Sequence, residues 1–164
     1  IKIFYLPKEI FPLSIILGIL FQLSFSVVIL IILIVFFQVE ITLLVLLLHY
    51  FLFLQLMFTL GISLILSSIG VFFRDVPLLL ESLIPLWYFL SPIMYPSSFV
   101  PEKFYTLYML NPMASFVESY RDILLYGKIP SVEAFVVTFT FSIVSLVLGF
   151  KIFTRLQGGF ADEV

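Results

Sequence analysis

Long apolar stretches separated by short polar turns dominate this sequence. Residues 13–37, 41–73, 76–92 and 132–153 each form such a stretch. A transmembrane α-helix needs about 20 predominantly apolar residues, so each stretch is a candidate membrane span. The third is short and contains Pro85, which predicts a kinked or discontinuous helix. The pattern therefore predicts an all-α integral membrane protein with four transmembrane helices.

Small or polar residues recur along one face of three predicted spans. Residues of this kind let another helix approach closely or form hydrogen bonds across the contact. We therefore expect helix packing along these faces, and Gln22 is also a candidate for a substrate contact. The three sets are Ser14, Gly18, Gln22 and Ser26; Gln55, Thr59, Ser63 and Ser67; and Thr138, Ser142, Ser145 and Gly149.

The segment between the third and fourth spans, residues 93–128, cannot form one straight helix. Four prolines lie in or beside it, and each removes a backbone donor and clashes with a continuing helix. They are Pro92, Pro96, Pro101 and Pro112. Five of the eight tyrosines also lie between residues 91 and 127.

A short amphipathic helix is predicted at the end of this segment. Asn111 suits the N-cap, Pro112 the first helical position and Gly127 the residue after the end. One face of this helix is predicted to be apolar: Met113, Phe116, Val117, Tyr120, Ile123 and Leu124. The other is predicted to be polar: Ser115, Glu118, Ser119, Arg121 and Asp122. Glu118 and Arg121 can pair at i, i+3. We interpret the segment as a re-entrant or interfacial piece that dips into the bilayer as a movable plug.

The composition supports the membrane assignment and excludes several functions. The chain is 63% hydrophobic and 11% charged, whereas soluble domains are about half apolar and about a quarter charged. A formal charge of −2 without a basic run argues against nucleic-acid binding. There is no cysteine and one histidine, so neither a thiolate nor a multi-histidine metal site is expected.

No nucleotide-binding or hydrolase motif occurs in the sequence. Gly127-Lys128 is followed by Ile129 rather than Ser or Thr, and no Walker A, HExxH or G-x-S-x-G pattern is present. We therefore expect no catalytic residue, metal or cofactor in this chain, and any ATP and Mg²⁺ would be bound by a partner. His49 and Glu81 could pair within the membrane, which keeps an intramembrane enzyme as an alternative.

The basic residues favour cytoplasmic positions for both ends of the chain. Cytoplasmic loops of membrane proteins carry an excess of Lys and Arg. With both ends inside, five basic residues are cytoplasmic: Lys2, Lys8, Arg74, Lys151 and Arg155. Three are outside: Lys103, Arg121 and Lys128. Arg74 and Asp75 then mark a cytoplasmic span end, and residues 154–164 form a cytoplasmic tail. The sequence opens on Ile1 without a recognisable signal peptide, which suggests a fragment of a longer protein.

Several ordered motifs resemble one known family. The chain carries Phe72-Phe73-Arg74-Asp75-Val76, Leu90-Ser91-Pro92-Ile93-Met94-Tyr95-Pro96, Leu110-Asn111-Pro112-Met113, Tyr120-Arg121-Asp122 with Gly127, and Gly149, Phe153, Arg155 and Phe160-Ala161-Asp162. Residues 5–12, Tyr-Leu-Pro-Lys-Glu-Ile-Phe-Pro, continue the likeness towards the N-terminus. Together they resemble the polysaccharide-export permeases of ABC transporters, which export O-antigen, capsule or teichoic-acid chains.

The resemblance implies roles that spacing alone does not give. The family has six spans, so this chain would be a single permease domain that lacks the first two. Residues 1–12 would be a cytoplasmic coupling segment resting on an ABC ATPase subunit, with Tyr5, Pro7, Lys8 and Glu9 as contacts. Residues 93–128 would be an external gate. Its predicted gate residues are Ser91, Pro92, Tyr95, Asn111, Pro112, Glu118, Tyr120 and Arg121.

The resemblance also implies partners and a location. A homodimer in the bacterial cytoplasmic (inner) membrane would enclose a path for a glycan carried on a polyprenyl diphosphate lipid. Gln22, Glu81, Trp87 and Tyr88 are candidates for lining that path, although an acidic Glu81 departs from the neutral residue expected there. An ABC permease for a drug or another small molecule remains the nearest alternative, and an ion-coupled secondary transporter is a further one.

Overall fold

The described part of the chain is entirely helical in its regular elements, which confirms the predicted all-α class. The computed structural model describes residues 10–39, 42–101, 103, 104, 108 and 110–157. The five α-helices are α1 (Ile10–Phe36), α2 (Leu46–Phe72), α3 (Val76–Leu90), α4 (Pro112–Leu124) and α5 (Val132–Leu156), with 3₁₀ turns at Leu43–Val45 and Ser97–Phe99. The four predicted spans contain α1, α2, α3 and α5. The predicted coupling residues Tyr5, Pro7, Lys8 and Glu9 lie outside the described residues.

Helix α1 belongs to a unit of its own, residues 1–40, and residues 41–164 form the second unit. From Phe21 to Phe36 its side chains are almost all exposed within this chain. The helix ends in a turn in which Gln38 has a positive φ of 50°. A helix that is apolar all round is suited to lipid or to other protein rather than to water.

Helices α2 and α5 pack against each other and form the centre of the second unit. The buried face of α2 contains Phe51, Leu54, Phe58, Gly61 and Ser68. The buried face of α5 contains Ala134, Thr138, Ser142, Ser145 and Gly149. Large side chains of α2 therefore fill the space above small side chains of α5, as interdigitated helix packing requires.

The two helices cross most closely at a pair of glycines. A Cβ atom added at Gly61 would overlap the backbone of Ser145, and one added at Gly149 would overlap the carbonyl of Gly61. Around this crossing, the Ser142 hydroxyl donates to the Leu54 carbonyl oxygen at 2.7 Å and the Ser145 hydroxyl to that of Phe58 at 3.4 Å. Small residues and interhelical hydrogen bonds of this kind hold helices together in lipid.

The small-polar stripe predicted on α5 is this packing face, whereas the stripe predicted on α2 is not. Thr59, Ser63 and Ser67 are exposed, and the side of α2 that contacts α5 is shifted by about one residue, or 100° around the helix. The shift follows from the close approach at Gly61, which turns Leu54, Phe58 and Gly61 rather than the polar stripe towards the backbone and hydroxyl groups of α5. Gly61 lies within one continuous helix, Leu46–Phe72.

Helix α3 is the short element of the second unit. It follows a turn at Phe73, Arg74 and Asp75, and its 15 residues span about 22 Å, against about 30 Å of hydrocarbon in a bilayer. Within the described residues, two helices are long and apolar enough to cross a membrane: 43–72, with α2, and 132–156, with α5.

Candidate functional site at the break between α3 and α4

Helix α4 begins where the sequence predicts and ends shortly before Gly127. The Asn111 side chain accepts a hydrogen bond from the Met113 backbone N–H at 3.1 Å, and Pro112 occupies the first turn. After the helix, Gly127 adopts a φ of 57°, which glycine reaches without strain. The Lys128 N–H then donates to the Asp122 carbonyl oxygen at 2.8 Å. The predicted N-cap is therefore confirmed, whereas the helix ends at Leu124 and Gly127 lies two residues beyond its C-cap, Leu125.

The buried face of α4 differs from the predicted one. Phe116 and Ile123 are buried as predicted, but Ser115 and Ser119 are also buried, although they were assigned to the polar face. The helix packs against both α2 and α5, so it buries a wider surface than one apolar stripe. Ser119 tolerates burial because its hydroxyl donates to the Ser115 carbonyl oxygen at 2.7 Å.

Aromatic contacts place α4 beside the N-terminal half of α2. The rings of Phe116 and Phe58 lie 6.2 Å apart between centroids, and those of Tyr120 and Phe51 lie 6.5 Å apart. The Tyr120 hydroxyl also donates to the Gln55 side-chain oxygen of α2. Phe58 lies about 18 Å along α2 from its start. Helix α4 therefore starts beside the middle of α2 and runs towards the N-terminus of α2.

The end of α3 meets the start of α4 at this same level. Trp87 of α3 stacks edge-on against Phe58, with 6.4 Å between ring centroids. Its indole N–H donates to the Asn111 side-chain oxygen at 3.1 Å. The Asn111 amide donates to the Ser91 hydroxyl at 3.1 Å and to the Leu90 carbonyl oxygen at 3.4 Å. One asparagine thus caps α4 and joins it to α3.

Arg121 holds the chain that leaves α3. Its guanidinium donates to the Tyr95 carbonyl oxygen at 3.0 Å and to the Ile93 carbonyl oxygen at 3.1 Å. The same group pairs with Glu118 at 3.2 Å, which confirms the predicted i, i+3 pair. Both side chains are 20% exposed, so the pair is partly shielded from solvent. The planar fork of arginine can satisfy several acceptors at once, which lysine cannot do.

Other predicted gate residues support this arrangement. The Tyr95 hydroxyl donates to the Phe89 carbonyl oxygen at 3.1 Å, which folds residues 91–95 back over the end of α3. Ser91 is buried and its hydroxyl donates to the Trp87 carbonyl oxygen at 2.9 Å, while Pro92 is also buried. Near the end of α4, burial raises the pKa of the Asp122 carboxyl and nearby Glu118 raises it further, whereas Lys128 lowers it.

The structure brings the predicted gate residues together. Ser91, Pro92, Tyr95, Asn111, Pro112, Glu118, Tyr120 and Arg121 all lie at or next to the break, and Trp87 joins them. Gln55 and the acceptor carbonyls of Ile93 and Tyr95 were not predicted as parts of the site. The pairing of Glu118 with Arg121 could be read from local spacing, but contacts across more than 20 residues have no local signal.

The remaining candidates have exposed side chains within this chain. Gln22 is exposed on α1, Glu81 and Tyr88 are exposed on α3, and Arg74 and Asp75 are exposed in the turn after α2. His49 lies in the first turn of α2, whereas Glu81 lies near the start of α3, which follows the other end of α2. These two residues therefore form no catalytic pair. The described residues also contain no group of three or more His, Cys, Asp or Glu side chains that could hold a metal ion.

Comparison with known proteins identifies the class. Residues 3–125 match the family described as "ABC-2 type transporter". An "O-antigen export system permease protein RfbA" from Klebsiella pneumoniae is 36% identical over 108 residues, which is 66% of this chain and 41% of that protein. Another from Myxococcus xanthus is 34% identical over 112 residues, 67% of this chain and 43% of the relative.

A more distant relative is the "Polysialic acid transport protein KpsM" of Escherichia coli. It is 28% identical over 93 residues, 57% of this chain and 36% of the relative. No solved structure matches the chain.

The family match covers most of the sequence, and the chain therefore belongs to the ABC-2 type transporter family of membrane proteins. Within that family it is homologous to permeases named for O-antigen export and polysialic acid transport, which confirms the resemblance to polysaccharide-export permeases. The aligned region spans about two fifths of the length of these curated relatives.

Proposed function

We propose that this chain is part of the membrane permease of an ABC exporter that moves a lipid-linked polysaccharide across the bacterial cytoplasmic membrane. The observation that carries the proposal is the similarity, over two thirds of the chain, to permeases named for O-antigen export. The Escherichia coli relative is named for the transport of polysialic acid, which is also a polysaccharide. These names favour a glycan over a drug or another small molecule as the substrate.

The proposed arrangement has four spans, α1, α2, α3 and α5, with both ends of the chain in the cytoplasm. Residues 93–128 then form an external gate that re-enters the bilayer. The geometry supports this arrangement because α3 ends near the middle of α2, and α4 continues from that level along the other half. Broken helices are tolerated in membranes where protein contacts satisfy the interrupted backbone, as Asn111 and Arg121 do here.

Cysteine labelling tests the gate. The 164 residues contain no cysteine, so single cysteines at exposed Met94 and Ile129 can be compared in the full-length protein once any cysteine outside these residues is replaced. We expect a membrane-impermeant maleimide added from outside to label both positions, with labelling at Met94 slower and dependent on transport. Equal, fast labelling throughout residues 93–125, or labelling only from the cytoplasm, would exclude a re-entrant external gate.

The energy for transport is proposed to come from a separate ABC ATPase subunit that binds ATP and Mg²⁺. The match to the ABC-2 type transporter family supports an ABC ATPase partner. We propose that residues 1–12 form the coupling segment, through Tyr5, Pro7, Lys8 and Glu9, and that two permease subunits enclose the path. The cargo is proposed to be a glycan on a polyprenyl diphosphate lipid.

A charge-reversal experiment tests the coupling segment. In the full-length permease, Lys8→Glu combined with Glu9→Lys should abolish export of surface polysaccharide in a strain that depends on this protein, while membrane insertion is retained. Glu133→Lys, exposed and outside the gate segment on the external side in this arrangement, is the matched control and should leave export unchanged. Unchanged export by the double variant would remove the coupling role.

A further inference from the structure

A cavity of about 680 Å³ lies beside the break, lined by the end of α3, by described residues between Tyr95 and Leu110 and by the start of α4. Five aromatic side chains contribute to its wall: Trp87, Tyr95, Phe99, Phe104 and Tyr108. Ligand-binding cavities are about 300–1,000 Å³ in volume, so this one is large enough for part of a small molecule or a lipid chain.

The polar groups of three wall residues are already used inside the protein. The Trp87 N–H and both ends of the Asn111 amide are engaged with each other, with Ser91 and with Leu90. The Tyr95 hydroxyl is engaged with Phe89. A sugar placed here would bury hydroxyl groups against a largely apolar wall, and each unpaired group costs free energy. The cavity therefore disfavours the glycan itself.

The lack of charged side chains in the wall restricts the occupant further. Among the described residues that line the cavity, none carries a charged side chain. A phosphate or an ammonium group would lose its hydration without gaining an opposite charge, which is strongly unfavourable. The occupant should therefore be an uncharged hydrocarbon.

The rim of the cavity consists of exposed apolar side chains. Leu90, Phe99, Phe104 and Leu110 line it and are between 53% and 75% exposed. A patch of exposed apolar side chains marks an interaction with a membrane or another apolar surface. Helix α3, which leads to this rim, also exposes Leu83, Leu86 and Phe89. An occupant would therefore enter from the hydrocarbon phase rather than from water.

We propose that this cavity binds the acyl chain of a bilayer phospholipid. The chain would fill the space between Trp87 and Phe104 and so support the junction at which Trp87 donates to Asn111. The inference goes beyond the proposed transport function and does not depend on which substrate is exported. It assigns a lipid site to the break itself, formed by both sides of the interrupted helix.

Photo-crosslinking in membranes tests this site. The full-length protein is reconstituted in vesicles of phosphatidylethanolamine and phosphatidylglycerol that contain a phospholipid with a diazirine on its acyl chain, and labelled peptides are mapped by mass spectrometry. We expect labelling of the peptides that contain Trp87, Phe99 and Phe104. Val100→Phe, which adds a ring to the wall, should reduce that labelling roughly tenfold, because excluding about two methylene groups has an effect of this size.

Val132→Phe is the matched control, because Val132 is 79% exposed and lies outside the lining of the cavity. It should leave labelling at the cavity unchanged. Phe104→Ala, which enlarges the cavity, should increase labelling and provides a second test if Val100→Phe fails to insert. Equal labelling in all four proteins would overturn the proposal.

Competition identifies the source of the hydrocarbon. Polyprenyl phosphate added to the same vesicles should leave the labelling unchanged. Displacement of the phospholipid label by this competitor would assign the cavity to an isoprenoid chain and overturn the proposal as stated. Labelling of the same peptides by a photoreactive soluble oligosaccharide would also overturn it. Neither result bears on whether the ATPase coupling segment functions, so the two proposals fail independently.

Discussion

Gly149 faces Gly61 so closely that an added Cβ atom would overlap the Gly61 carbonyl. The contact fixes the separation of α2 and α5, on which the second unit is built. A side chain on either glycine would move two backbones rather than one flexible group. Gly70 of the same helix lies in open space, so substitutions at Gly61 and Gly70 can be compared directly.

Gly61→Ala should destabilise the protein, whereas Gly70→Ala should not. Nothing lies within 4 Å of a Cβ atom placed at Gly70, so alanine there gains about 0.5–1 kcal/mol of helix propensity. At Gly61 that gain is outweighed by overpacking, which typically costs about 1–3 kcal/mol. Thermal unfolding in detergent measures both variants. Equal melting temperatures would show that the two helices can separate without cost.

Arg121→Ala and Arg121→Lys should both release residues 91–96. The guanidinium satisfies two carbonyl oxygens and Glu118 together, and a charged hydrogen bond contributes about 1.5–3 kcal/mol. A lysine ammonium lacks the planar fork that serves all three. Hydrogen exchange of the peptide that contains Ile93 and Tyr95 should accelerate at least tenfold, since 1.4 kcal/mol corresponds to a factor of ten.

Lys128→Ala is the control for this measurement. Lys128 lies over the ring of Tyr126, away from residues 91–96, so exchange there should stay slow. If Arg121→Lys preserved slow exchange, a single point charge would be sufficient and the shared geometry of the guanidinium would be unimportant.

Asn111→Ala should disturb two helices at once. It removes the N-cap of α4, typically worth about 1 kcal/mol, and also the acceptor of the Trp87 N–H. Trp87 is the only tryptophan in the 164 residues, so its fluorescence in this chain reports the junction directly. We expect a shift of its emission together with lower stability.

Ser131→Ala separates the loss of a helix cap from the loss of the hydrogen bond to Trp87. Ser131 caps α5 by accepting from the Ala134 N–H at 3.2 Å, and no described contact joins it to Trp87. This variant should lose a similar amount of stability while the emission of Trp87 stays constant. A matching shift in both variants would mean that the fluorescence follows global loosening rather than the bond to Asn111.

Ser142→Ala should reduce the stability of the protein less than Gly61→Ala does. The Ser142 hydroxyl donates to the carbonyl oxygens of Leu54 and Thr138, but interhelical hydrogen bonds in membrane proteins average only about 0.6 kcal/mol. Thr154→Ala, whose hydroxyl bonds only within α5, should have a smaller effect still. A loss larger than that of Gly61→Ala would make the hydroxyl, rather than the close approach of the backbones, the main determinant of this interface.

Local features of this chain were predictable because local physics determines them. Asn111, Pro112 and Ser131 act on backbone groups within a few residues, so their sequence neighbours suffice to assign caps and helix starts. The small face of α5 was likewise visible as a repeat. The same argument gave the pairing of Glu118 with Arg121.

The side of α2 that packs against α5 was not predictable in this way. Its polar stripe has the correct period, but only the shape of α5 decides that Phe58 and Gly61 face inward. The burial of Ser115 and Ser119 depends in the same way on the presence of two neighbouring helices. The bonds from Arg121 to Ile93 and Tyr95 span 28 and 26 residues and follow from the tertiary fold alone.

The link from Asn111 back to Leu90 also sets an order for synthesis of the chain. The carbonyl at the end of α3 receives its side-chain partner from a residue made 21 positions later. Until the ribosome has passed Asn111, that end of α3 lacks a donor that the finished protein supplies. A chain truncated after Leu90 would therefore leave this carbonyl without its side-chain donor, and the end of α3 acquires its full set of contacts only after α4 has followed it.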